Sequence, residues 1–512
     1  MAEAAKIANR THPDYEDNVD KWKRYKDASK GGDAFINDTY LHSHRLEDTE
    51  DFNERLERGY YLNFCDTVPN IYNNYIFKEE INRPPDTNLD SFKKNVDGRY
   101  SDVNAFIERV GYYASVYGVV HVLVDMPESN KKSPSKADDK EANRIPYCSI
   151  ILPNDLKDWS VDAKGKFNWV VIEFTYYDDP DPKLEREDHT YYKVITLEEW
   201  WVEDEDGAKV TFADGTVSAG TNELGIIPIV TMYHKDTGND KIGESLIKDI
   251  VYINQAIMNW CSCIDEQIER QTFSQLIIPD DSAMDEDEER GDDPLNRFGT
   301  SSAFTFNPES KHHPQFISPD TDNLSVIWGL VADHIKEIFR LGGLQGGTSD
   351  LYSSRSGRQS QMSFSGVNSS LSKKSSHYEK FENDISRIAL LLLGVGVEDY
   401  NEVKYPNSFD IAALADELDS YITILERNFS PTLNKTIEKG IARKTVPFAD
   451  VVTRKMIEDE IENSDGIVLP VSTGNVVDQE ENGDGNPNNA AGDSFKKNED
   501  LKKEESSHRV EK

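Results

Sequence analysis

The sequence predicts an α+β chain, and three observations carry that prediction. Between residues 145 and 233, short β-rich apolar runs separated by turn dipeptides read as strands. On both sides of that stretch, apolar residues recur at three- and four-residue spacing, as on one face of a helix. Two of the helical patterns, one beginning near Lys241 and one after Ser318, bracket a small β-forming excursion.

Taken in order, residues 1–40 are polar and charged and read as an arm. Phe52, Leu56, Tyr60, Phe64, Val68, Tyr72 and Ile76 then recur at four-residue steps. Pro69 lies inside this stripe, and because proline lacks the amide hydrogen it is expected to start a second helix there. A further helix is predicted from an N-cap at Ser101 through Val103, Phe106, Ile107, Val110, Ala114 and Tyr117, with Gly118 ending it. Val119 to Val124 reads as a buried strand, and residues 128–143 as a charged insertion. Strands follow at 145–152, 167–177, 190–195, 199–203, 209–212 and 226–233, with Asp206-Gly207 and Asp214-Gly215 as hairpin turn signals.

From Lys241 the period changes. Ile242, Leu246, Ile250, Ile253, Ile257, Trp260, Ile264 and Ile268 predict one helix of ~30 residues, about 45 Å long. Strands are expected at 273–278, 303–307 and 314–317. Ser318-Pro319-Asp320 then opens a second helix carrying Leu324, Ile327, Val331, Ile335, Ile338 and Leu341. Joined through a compact insert, the two helices are expected to return antiparallel and pack stripe to stripe. Ile250, Ile253, Ile257, Trp260 and Ile264 would then face Leu324, Val331, Ile335 and Ile338. A Gly/Ser-rich stretch from Gly342 precedes a third helix through Leu371, Tyr378, Phe381, Ile385, Ile388 and Leu392, stopped by Gly394 and Gly396. Helices at 411–427, 432–443 and 448–463 form a terminal bundle, and the Asn/Gly/Glu/Lys-rich composition after Val471 is that of a disordered tail. No internal repeat is visible.

The 512 residues carry 57 Lys and Arg against 95 Asp and Glu, a net charge of −38, which disfavours binding nucleic acid through simple counterion release. Any contact with DNA needs a local exception. No run of about 18 apolar residues predicts a membrane span, and residues 1–30 lack the apolar stretch of a secretory signal. The four cysteines, Cys65, Cys148, Cys261 and Cys263, contain no C-x-x-C pair and read as reduced core thiols.

Few motifs suggest chemistry. The acidic tract from Asp280 to Asp293, including Asp285, Glu286, Asp287, Glu288 and Glu289, lacks the ligand spacing of an EF-hand. It reads as a solvated loop offered to a basic partner, with no metal expected. Gly342 to Gly347 has the glycine separation of a phosphate loop, but Thr348 stands where the lysine belongs. Ser370-Leu371-Ser372-Lys373 fits S-x-x-K without its companion motifs, and the histidines form no H-E-x-x-H. No catalytic constellation and no cofactor site emerge. The charge exception lies between Arg340 and Tyr378, where Arg340, Arg355, Arg358, Lys373 and Lys374 face a single acid, Asp350. With screening lengths of about 8 Å, distant carboxylates do not cancel such a segment, which could meet phosphates.

The order of these segments resembles the portal proteins of tailed bacteriophages. The resemblance is carried by Tyr40-Leu41 with the acidic helix from Asp51 to Asn63, by Gly243 to Ile250 with the helix it opens, by Gln271 to Leu276, and by Ser430-Pro431-Thr432-Leu433 with its following helices. It spans roughly residues 40–465. It implies an elongated subunit with a wing at 41–240, stem helices at 241–272 and 319–341, and a clip at 273–318. A channel loop would fall at 342–366, a long wing helix at 367–405, crown helices at 406–470 and a tail at 471–512. Such subunits close into a ring, typically of twelve, at one capsid vertex of the virion after assembly in the host cytoplasm. The implied partners are the terminase large subunit, major capsid and scaffolding proteins, head-completion, adaptor or tail proteins, and double-stranded DNA passing through the channel, with no membrane. On this reading Arg355, Arg358, Lys373 and Lys374 grip DNA, Asp285 to Glu289 dock a clip partner, and the chain is not an enzyme. The alternative from a different class is a metal-dependent nucleic-acid-processing enzyme, whose carboxylates would hold catalytic ions.

Overall fold

The computed structural model describes residues 6–45, 47–78, 80–127, 144–178, 183, 187–210, 212, 218–238, 241–271, 275–277, 315–317, 322–344, 357–407, 409, 430–445 and 451–463. Two compact units divide the chain after Ile411, and both α and β structure are present in the first.

The N-terminal part is helical: α1 (Pro13–Glu16), α2 (Val19–Lys30), α3 (Thr49–Glu57), α4 (Phe64–Lys78), α5 (Asp90–Lys94) and α6 (Val103–Tyr117). The expected polar arm is part of the core. Trp22, Tyr25 and Ala28 of α2, followed by Phe35, Tyr40 and Leu41, are all buried. Their spacing along α2 is helical, but the lysines and aspartates between them mask it in composition.

The predicted break at Pro69 falls instead between α3 and α4. Asn63 caps the new helix by accepting the Asp66 amide at 2.9 Å, and Pro69 is an interior, buried residue of α4. Its missing amide hydrogen would have met the Cys65 carbonyl one turn back, near the helix start, where disruption costs least. In α6 the cap is Asp102, one residue after the expected Ser101, and its carboxylate accepts the Ala105 amide at 2.8 Å. Gly118 ends α6 with φ of 91° and donates its amide to the Ala114 carbonyl.

Strand β1 (Val119–Asp125) follows at once and is central in a three-stranded antiparallel sheet, between β2 (Tyr147–Ile151) and β8 (Ile229–Tyr233). Buried on both faces, it reads as a continuous apolar run interrupted only by His121. The second sheet is an antiparallel meander: β3 (Leu156–Val161), β4 (Phe167–Asp178), β5 (Glu187–Thr196), β6 (Glu199–Glu203) and β7 (Ala219–Thr221). Strands β3 and β7 were not anticipated. β3 follows Pro153-Asn154 and contains charged residues, and β4 shifts register against it at Leu156/Asp158 and Ser160/Val161, so neither clean alternation nor length marks it. The strand expected at 209–212 appears only as a bridge from Lys209 to Glu203 among the described residues.

Next come α7 (Ile250–Gln271), β9 (Gln275–Ile277), β10 (Gln315–Ile317), α8 (Asp322–Leu341) and α9 (Gly357–Leu392). One continuous core joins α2, α4, α6, the first sheet and the three long helices. The second unit contains α10 (Pro431–Thr445) and α11 (Val451–Asn463), which pack together with Lys439 Nζ 2.6 Å from Glu462 Oε2. Of the four cysteines, Cys65, Cys148 and Cys261 are buried thiols as expected, whereas Cys263 is exposed.

Candidate functional site: the helix pair and the cleft at its base

Helix α7 is shorter at its start than the apolar repeat suggests. The Ser245 hydroxyl donates to the Val116 carbonyl at 2.6 Å and the Leu246 amide to the Ser115 carbonyl at 2.9 Å, so residues 243–246 cap the end of α6 instead of continuing a helix. Gly243 is needed for this approach: a Cβ there would lie 2.2 Å from the Gly118 carbonyl oxygen. The 22 residues of α7 span about 33 Å and the 20 of α8 about 30 Å.

The two helices pack against each other, and between them β9 and β10 pair antiparallel from Gln315/Ile277 to Ile317/Gln275. Ile250, Ile257 and Ile264 of α7 and Val331 and Ile338 of α8 are all buried in the common core, with Ile253, Leu324 and Ile335 partly buried against it. Trp260 departs from the expected set. It is 39% exposed, because the buried stripe drifts onto Met258 and Cys261 as 3.6 residues per turn outrun a seven-residue repeat.

Polar contacts that sequence reasoning missed root α7. Asn254, fully buried, accepts the Phe64 amide at 3.0 Å and donates to the Leu62 carbonyl at 2.8 Å. One turn on, Asn259 donates to the Tyr40 carbonyl at 3.0 Å and accepts the His42 amide at 2.9 Å. Arg55 is buried and forked onto Glu47, with 2.7 Å from Nε to Oε1 and 2.7 Å from Nη2 to Oε2, and also donates to Ser262 of α7 at 3.0 Å. The Arg55 guanidinium, hydrogen-bonded to it, holds the Glu47 carboxyl below its ordinary range. An asparagine within an apolar stripe was the available signal for Asn254. Arg55 gave none, because its neighbours in sequence are mostly charged.

Helix α8 ends in a tight cap. Gly343, at φ of 67°, donates to the Arg340 carbonyl, and the Leu344 amide reaches back to the Phe339 carbonyl at 2.8 Å. Leu344 is buried and Tyr72 Oη donates to the Gly342 carbonyl at 2.7 Å, which fixes the point where the chain enters residues 345–356. Residues 357–366, expected as loop, already belong to α9.

The four predicted DNA-gripping side chains therefore divide. Arg355 lies outside the described residues, and of Arg358 only its backbone place in the first turn of α9 is described. Lys373 is exposed on α9. Lys374 is corrected: one residue further round the helix, it points inward, 3% exposed, bonds to the Ser115 hydroxyl and lies 5.0 Å from the centre of the Tyr72 ring. Burial pulls its amine down to about 7. Asp285, Glu286, Asp287, Glu288 and Glu289 lie outside the described residues.

Around Lys374 is a cleft of about 640 Å³, walled by α4, α9, the segment after β8, the turn before α7 and the cap of α8. Its rim carboxylate, Glu244, is engaged by Lys235 at 2.8 Å and Lys248 at 3.2 Å. His377 of α9 donates from Nδ1 to the Tyr233 carbonyl at 3.0 Å. Among the described residues the buried Nδ1 of His234 has no hydrogen-bond partner, and burial followed by the Lys374 charge lowers its pKa well below the ordinary value.

Among the described residues no cluster of three or more His, Cys, Asp or Glu side chains is placed to hold a metal ion, and no helix is long and apolar enough to cross a membrane. No family profile and no curated protein matches the chain. A solved structure described as the neck of an empty GTA particle computed with C6 symmetry is similar to 78% of this chain and 96% of its own, at 10% identity and a TM-score of 0.39.

Proposed function

We propose that this chain is the ring-forming portal subunit of a tailed-phage particle, a conduit for DNA and not a catalyst. One observation carries the reading: α8 exposes apolar side chains in two different directions. Val326 and Leu330, 71% and 40% exposed, lie one turn apart on one face, and Trp328, 57% exposed, projects about 200° around the helix from Val326. An exposed apolar face marks an interaction surface, and a closed ring requires each subunit to offer two unlike faces, one to each neighbour. The order of sequence segments resembling portal proteins supports the same reading.

On this reading α7 and α8 form the channel-wall stem, residues around the β9–β10 pair the clip, and residues 345–356 with the start of α9 the channel loop. The ring, typically of twelve copies, occupies one capsid vertex. It docks the terminase large subunit during packaging, contacts capsid and scaffolding proteins, and receives head-completion, adaptor or tail proteins afterwards. The acidic chain lets DNA slide, and Arg355, Arg358 and Lys373 provide local grip; neutralising those three together is expected to impair DNA retention without preventing rings. Deleting residues 285–289 is expected to weaken terminase or adaptor binding and leave assembly intact.

Electron microscopy and solution mass of the full chain test the assembly. Rings with a central channel are expected for the parent protein, and monomers for Val326→Asp combined with Trp328→Asp. A parent chain that remains monomeric at high concentration, with and without scaffolding protein, overturns the proposal.

A further inference from the structure

The cleft at the base of α8 is built around a cation without an anion. Lys374 is buried and meets a hydroxyl and an aromatic face; neither it nor Lys373 has a carboxylate partner among the described residues. The lining carries four lysines, 235, 248, 373 and 374, against the three carboxylates of Asp236, Glu244 and Asp249, with two histidines in addition. Two of those carboxylates are already taken, Glu244 by Lys235 and Lys248, and Asp249 by Lys248 at 3.8 Å. The uncompensated charge therefore sits on the α9 side, where Lys374 and His377 lie three residues apart and share a face. The Nδ1 of His234 adds a buried polar atom that has no hydrogen-bond partner among the described residues.

A buried ammonium is retained where something pairs with it. The cleft volume of about 640 Å³ is that of a small-molecule site. We infer that this cleft binds a phosphate oxyanion, held by the Lys374 ammonium with Lys373 and His377 of the same helix beside it. The Ser115 hydroxyl fixes the lysine's reach and the Tyr72 ring supports its charge.

The charged and titratable groups facing Lys374 are Tyr72 from α4, His234, Lys235 and Asp236 after β8, Glu244, Lys248 and Asp249 before α7, and Lys373 and His377 on α9. With its amine lowered by burial to about 7, Lys374 is cationic below neutrality and loses its charge above it, so anion binding weakens as pH rises. The site needs only one copy of the chain and stands independently of ring formation.

Calorimetric titration of the full chain with inorganic phosphate at pH 6.5 and constant ionic strength, with chloride as control, tests the site. Saturable one-site binding is expected, weakened about tenfold or more in Lys374→Met whose fold is verified by circular dichroism. Sulfate, whose charge is constant over this range, is expected to bind more weakly at pH 8.5 than at pH 6.5. Should Lys374→Met not fold, Lys373→Gln with His377→Asn keeps the buried lysine and is expected to weaken phosphate several-fold. A 5′-phosphorylated dinucleotide that displaces phosphate identifies the oxyanion as a nucleic-acid end, whereas one that does not identifies it as free phosphate. Absence of saturable binding at millimolar phosphate, or binding unchanged in the folded variants, overturns the inference.

Discussion

His121 sits mid-strand in β1, 1% exposed, with Nδ1 3.0 Å from the Thr231 hydroxyl. Burial, and then the charge of Lys241, pull its imidazole down to about 3 from an ordinary 6.5. The unfolded chain therefore binds more protons than the folded one between those values, and stability falls as pH drops from 6.5 towards 3. His121→Leu is expected to flatten that part of the pH dependence of the urea midpoint; an unchanged acid slope would assign it to other groups. Arg55 makes the opposite kind of contribution, a forked pair with Glu47 closed off from water. Arg55→Ala leaves the Glu47 carboxylate with the His44 amide, 2.7 Å from its Oε2, but without its cation, and is expected to cost about 3–5 kcal/mol in urea unfolding, with Glu47→Gln added to it recovering part of the loss.

At the scale of elements, the junction of α6, β1 and the turn before α7 depends on two glycines meeting. A Cβ at Gly118 would stand 2.5 Å from the Gly243 carbonyl oxygen and would have to adopt φ of 91°. Gly118→Ala is expected to lower stability by more than about 1 kcal/mol, read as a fall in melting temperature. Ile338 of α8, fully buried in the core, should cost about 2–5 kcal/mol on truncation to alanine. Elements with a strong period were legible: α8 and β6 lie close to where the apolar pattern placed them, and Gly394 closes α9 at φ of 64°. What escaped depended on partners distant in sequence. The helical repeat through Ile242 and Leu246 is continuous with α7, yet the carbonyls of Ser115 and Val116 claim that turn for another helix. Lys373 and Lys374 are alike as letters, and only the direction in which α9 faces Ser115 separates a solvated charge from a buried one.

At the scale of the whole molecule, a net charge of −38 makes neighbouring copies repel one another. If apolar faces such as those of Val326 and Trp328 drive association, raising ionic strength should favour rings until screening is complete. The ring fraction by sedimentation is expected to increase between about 0.01 and 0.15 M salt, as the screening length falls from ~30 to ~8 Å. A fraction that falls with salt would instead point to ion pairs as the adhesive. The β9–β10 pair has a different consequence. Three backbone-matched residue pairs, Gln315/Ile277 to Ile317/Gln275, join the sequence at either end of residues 278–314 to the long helices. That pairing holds Ile277 and Gln315 side by side, one strand spacing of about 4.8 Å apart, and so acts as a clasp: it sets a single separation between the two chain positions on either side of the long helices' connection.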